Sequence, residues 1–332
     1  MVGGMGETSE ELLNLANAHG YDVTEHKLTR WRQAGLLRRP KQQSLGKGRG
    51  TQTVYPPGTG KQLLALCEIH AEERRLLYVA WRLWWAGYEV SFELIRQFLG
   101  RFADKSDRDM RDLKDSETGE TSESALELLE QSPKARYGSK PLRRARKRVG
   151  SERFGTFMSM LFGVASGGFG GFYEDPTGDP KEDEWRILQR GFGLDRGSVY
   201  REEETGAKPA DELEATLRQA SSLFGEHSFG EALRIATDED LLESRDRSRS
   251  MMIGMELIGA LARQEPGSEA AKFSAMGDAV QEIGSQDEAV LVLYMLVWRS
   301  WGPLEMREKM DSYHGGVQEI VSRLRELDNG IG

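Results

Sequence analysis

The chain has 332 residues, of which 38% are hydrophobic and 30% charged, and a formal net charge of −9. That length exceeds what one compact core usually holds, so two or more domains are expected, with enough apolar material for real cores. The single cysteine, Cys67, excludes a disulfide framework and any multi-cysteine zinc site, fits a reducing cytosol, and sits among leucines as a small buried hydrophobe.

The opening stretch MVGGMGETSEELL has neither the basic nor the apolar region of a signal peptide, so a cytoplasmic protein is expected. Thr8 and Glu11 have the spacing of a capping box, and Leu12, Leu13, Leu15 and Ala16 follow as an apolar stripe to about His19. Gly20 and Tyr21 form a turn, and Thr24 caps a second helix over about 24–34 with Leu28 and Trp31 facing inward. Gly35 ends that helix, and Leu36 and Leu37 re-enter a core. Two short helices joined by a tight turn, the second rich in basic side chains, make a helix-turn-helix pattern.

The charge distribution supports this. Residues 20–61 hold nine basic residues against Asp22 and Glu25, a net +7, which leaves −16 for the remainder. The stretch PKQQSLGKGRGTQTVYPPG spaces Lys47 and Arg49 with glycines, and Thr51, Thr53 and Tyr55 then form the return strand of a hairpin. Such a hairpin beside a helix-turn-helix is a wing, with Lys47 and Arg49 at its tip to meet phosphates. One long helix is expected over about 59–86, ended by Gly87, followed by a helix capped at Ser91 and buried through Leu94, Ile95, Phe98 and Leu99. Trp81, Trp84 and Trp85 read as core extending into a dimer contact.

Residues 8–100 resemble the MerR-type winged helix-turn-helix domain of bacterial transcription regulators. The stretch KLTRWRQAGLLRRP supplies Leu28, Trp31, Gly35, Leu36, Leu37 and Pro40 at the family's spacing. Tyr55 matches the wing tyrosine, and WAGYEVSFELIRQFL is similar to the family's closing helix pair. The resemblance implies that the second helix enters the major groove of double-stranded DNA, with Thr24, His26, Lys27 and Arg30 within reach of bases or phosphates. Arg38 belongs to the same basic set, and Thr51, Gln52, Lys47 and Arg49 would serve the wing.

Beyond residue 100 a charged linker is expected over 101–152, ending in a basic cluster from Lys134 to Arg153. Residues 153–332 are expected to form an α-helical dimerisation or effector domain. Phe154–Tyr173 carries no charge over 20 residues, but its glycines and serines favour a buried helix at 152–165 and a glycine-rich loop over a membrane span. Helices are expected at about 182–191 and 211–224, from Thr237 or Asp238 to about Arg263, over the apolar run Ala289–Trp298, and along Val317, Ile320, Val321, Leu324 and Leu327. The methionines and aromatics of 154–173 and 251–258 could line a pocket for a small apolar effector.

The five histidines lack metal-ligand spacing, GVASGGFGGF lacks the lysine of a phosphate-binding loop, and GFGLDRG lacks the strand of a dinucleotide fingerprint. No catalytic constellation, metal or cofactor is therefore expected. The reading is a mainly α protein: a sequence-specific regulator of transcription that binds DNA as a homodimer. The alternative is a winged-helix protein-interaction module without DNA readout, or one held at a membrane through 154–173.

Overall fold

The computed structural model describes residues 6–44, 51–113, 146–147, 150, 223, 226–264 and 285–330. The described chain is mainly helical, with one small three-stranded antiparallel sheet, and divides into two compact units, 1–101 and 102–332. Lys47, Arg49, the basic cluster apart from Arg146 and Lys147, the uncharged stretch 154–173, the helix expected at 182–191 and nearly all of that expected at 211–224 lie outside the described residues.

Unit 1 opens with β1 (Glu7–Thr8) and α1 (Ser9–Ala18). The capping box forms in both directions: Thr8 Oγ1 accepts from Glu11 N at 3.2 Å, and the Glu11 carboxylate accepts from Thr8 N at 2.7 Å. Those bonds hold the Glu11 carboxyl below its usual range. Thr8→Ala is expected to cost about 1 kcal/mol, readable as a lower urea midpoint with an unchanged slope.

The chain continues through α2 (Glu25–Gln33), β2 (Lys41–Ser44) and β3 (Thr51–Tyr55). β2 and β3 form the expected hairpin, with Ser44 opposite Thr51 and Lys41 opposite Val54. β1 adds on the far side of β3, giving the order β1–β3–β2. This third strand was not legible, since two residues carry no alternation.

The expected long helix is two helices, α3 (Thr59–Glu72) and α4 (Leu76–Trp85), packed on each other. The break lies at Glu73–Arg75, where Glu73 takes an extended conformation. Its carboxylate accepts from Arg75 N at 2.8 Å and from Arg75 Nη2 at 2.6 Å. The Arg75 bonds push the Glu73 carboxyl down to about 2. The apolar spacing continues on both sides of the break, so periodicity alone joined what the local polar bonds separate.

α5 (Phe92–Leu113) follows, and the boundary between the units falls inside it. It runs thirteen residues into the segment read as linker, because Phe102 and Ala103 prolong its apolar face and Asp104 stands four residues before Arg108. Trp81 and Trp84 are fully buried, and Trp81 stacks on Phe98 at 4.7 Å. Cys67 is buried, which pushes its thiol up to about 11 and leaves it unreactive at neutral pH.

Unit 2 holds α6 (Phe229–Ile235), α7 (Asp238–Gln264), α8 (Ser285–Trp301) and α9 (Leu304–Gly330). Asp107 ties the start of α6 by accepting from Phe229 N at 2.9 Å and Gly230 N at 2.8 Å. Thr237 caps α7 through a reciprocal pair of bonds with Asp240. The apolar run is buried as expected, with Ala289, Val292, Leu293, Leu296 and Val297 at the centre of α8.

α9 lies parallel to α7. Arg247 meets Asp311, Ser250 meets His314, and Gly254 faces Val317, partners 64, 64 and 63 residues further along the chain. The fully buried Ser244, Ser248 and Ser250 make α7 narrow on its packed sides. The stripe expected on α9 is only partly covered: Val317 is buried, whereas Ile320 is 48% exposed. Among the described residues no helix is long and apolar enough to cross a membrane.

Candidate nucleic-acid interface

α2 is seated by its apolar side. Leu28 and Trp31 are buried, and the edge of the His70 ring meets Trp31 at 5.5 Å. The opposite side of α2 faces water, with His26 and Arg30 exposed. Thr24 is also at the surface, but its hydroxyl is used as the helix cap, accepting from Lys27 N at 3.3 Å. Lys27 folds back: its Nζ donates to the Asp22 carbonyl at 3.2 Å and stands 5.1 Å over the Trp31 ring.

The C-terminal end of α2 is fastened from below. Gly35 has φ +77, its N–H donates to the Arg32 carbonyl, and Leu36 N donates to the Trp31 carbonyl. Ser91 N donates to the Gly35 carbonyl at 2.8 Å, and the buried Gln62 side chain donates to both Leu36 O and Glu89 O. These bonds settle the polar backbone of two turns inside the core, so α2 is held at a fixed height.

Arg38 is committed to this framework. Its Nη1 donates to the Pro57 carbonyl at 3.0 Å, and its Nε lies 3.2 Å from Glu89 without hydrogen-bond alignment. The expected contact residue is therefore a brace between the hairpin exit and the turn before α5. Arg32 and Arg39 stand at the rim of a cleft of ≈ 480 Å³ whose floor includes Leu37, Val90 and Leu94.

His70 and Arg74 were not legible as parts of this surface. Burial lowers the His70 pKa, and the positive charges of Lys27, Arg74 and Arg30 lower it further. His70 is neutral at pH 7. Its depressed value makes the fold lose stability as pH falls through the ordinary imidazole range, because the unfolded chain takes the proton first. The only sequence signal was the pair Arg74–Arg75, hidden within an apparently continuous helix.

The hairpin is open to water. All four residues of β2 are exposed, as are Thr51 and Gln52 at the start of β3. Gln42 Nε2 donates to Thr53 Oγ1 at 3.2 Å across the pair. An edge strand exposed on both sides offers amide and hydroxyl donors to an anionic partner. Of the expected contact residues, the structure sets His26, Lys27 and Arg30 on α2, Thr24 at its N-cap, and Thr51 and Gln52 on the hairpin. Among the described residues no cluster of His, Cys, Asp or Glu could hold a metal ion. No known protein family, curated protein or solved structure matches this chain.

Proposed function

We propose that the chain is a sequence-specific DNA-binding regulator of transcription, with a divergent MerR-type winged helix-turn-helix at its N-terminus. The observation that supports this most is the water-facing side of α2, where His26 and Arg30 are exposed over a buried Leu28 and Trp31 base. α2 enters the major groove, where Arg30 meets the phosphate backbone and His26 reaches base edges or phosphates. Thr51 and Gln52 bond phosphates from the hairpin, and Lys47 and Arg49 add charge at its tip.

The −16 carried by the rest of the chain repels DNA and restricts binding to this face. Operators tend to be two-fold symmetric, so the protein acts as a homodimer, and the α-helical C-terminal part serves dimerisation or effector sensing. No catalytic step is assigned to it.

A salt titration against random duplex DNA tests the reading. Affinity should fall steeply with salt for the wild type and less steeply for Arg30→Ala/Arg49→Ala. If the wild type does not bind even at low salt, the DNA reading is wrong and the face serves an acidic protein partner.

A further inference from the structure

Unit 2 contains a cleft of ≈ 390 Å³ between the end of α6, the N-terminal half of α7, the end of α8 and the first turns of α9. A volume of this size suits a small metabolite. Most of the charges that line it are already paired. Arg247 lies 2.5 Å from Asp311 and 3.4 Å from Glu243, while Arg299 lies 2.5 Å from Asp240 and also bonds Glu243. This network spans α7, α8 and α9.

Two charges are left over. Among the described residues, neither Arg307 nor Glu308 has a side-chain partner, and Arg307 Nε is out of contact with water and without an acceptor. The guanidinium of Arg307 lines the cleft, and a carboxylate is the planar group that best matches a guanidinium fork. Beside them stand Ile235 and Leu304, which are 54% and 64% exposed and also line the cleft. Apolar side chains left in water at a cleft gain by being covered.

One unpaired cation, one unpaired anion and an apolar rim are complementary to a carboxylate, an ammonium and an apolar side chain in one molecule. We propose that this cleft binds a free α-amino acid with an apolar side chain. Arg307 takes the carboxylate, Glu308 faces the ammonium, and Leu304 and Ile235 cover the side chain. The site sits in a different unit from the DNA face, and its binding is read without DNA.

Isothermal titration of the full chain with leucine, isocaproate and leucinamide tests it, since isocaproate lacks the ammonium and leucinamide the carboxylate. Leucine should give saturable heat, and each analogue should bind at least about tenfold more weakly. Arg307→Gln should weaken leucine and isocaproate while leaving leucinamide unchanged, in a variant whose thermal melt matches the wild type. Leu304→Ala should weaken leucine but not glycine. The site is overturned by the absence of saturable heat with leucine, valine, methionine and phenylalanine alike. It is also overturned by leucinamide binding as well as leucine, or by unchanged leucine affinity in Arg307→Gln.

Discussion

Gly35→Ala is expected to destabilise unit 1 by about 3 kcal/mol, the sum of a left-handed backbone cost of ~1–2 kcal/mol and a steric term of similar size. The backbone term follows from φ +77. The steric term follows from the joint with the turn before α5, where an added Cβ would stand 2.6 Å from Ser91 Cβ. Neither side yields easily, because Ser91 N is bonded to the Gly35 carbonyl and Gln62 ties Leu36 to Glu89. For a unit of this size the loss corresponds to a fall in melting temperature of roughly 10–20 °C.

Gly20→Ala is the internal comparison. Gly20 has φ +80, but nothing stands within 4 Å of its added Cβ. It should show the backbone term alone, about 1–2 kcal/mol. Adding Ser91→Gly to Gly35→Ala should recover much of the difference. Equal losses at the two glycines would mean that α2 is not fastened to the turn before α5 in this way.

The second large effect concerns DNA and separates contact residues from the brace. Arg30→Ala and Arg74→Ala should each make the log–log salt dependence of binding shallower by about 0.9, one phosphate contact apiece. In the double variant the fall in affinity between about 50 and 200 mM salt should shrink by roughly tenfold. Arg38→Ala should leave that slope unchanged, since its guanidinium is spent on the Pro57 carbonyl and Glu89. Its effect should appear instead as a modest loss of stability, about 1 kcal/mol, from the lost bond to the carbonyl. A slope altered by Arg38→Ala and untouched by Arg30→Ala would move the interface from α2 to the cleft side of unit 1.

The local elements were largely legible because their signals are local. A Thr8–Glu11 pair three residues apart, Thr24 before an amphipathic turn, and glycine after Ala34 each act within one turn of helix, and all three do what their spacing implies. The cationic face was legible in part, since Arg30 follows from its place opposite Leu28 and Trp31 on a 3.6-residue period. The bonds of Arg38 were not legible, because charge density does not tell a solvated arginine from one that meets Pro57 and Glu89, residues about twenty and fifty positions away. The same limit hid the break between α3 and α4, which the Glu73–Arg75 bonds hold.

The α-helical C-terminal part shows the division again. The apolar run of α8 and the cap of α7 were plain in one dimension. The parallel alignment of α7 and α9 was not, nor was the cleft whose paired arginines isolate Arg307 and Glu308. By itself, then, the sequence determined what short-range forces decide: caps, turns, helix faces, the hairpin and the concentration of positive charge in residues 20–61. Only the tertiary structure decided which charged groups stay free, because pairing depends on residues far apart in the chain meeting at about 3 Å, and no spacing rule encodes that distance.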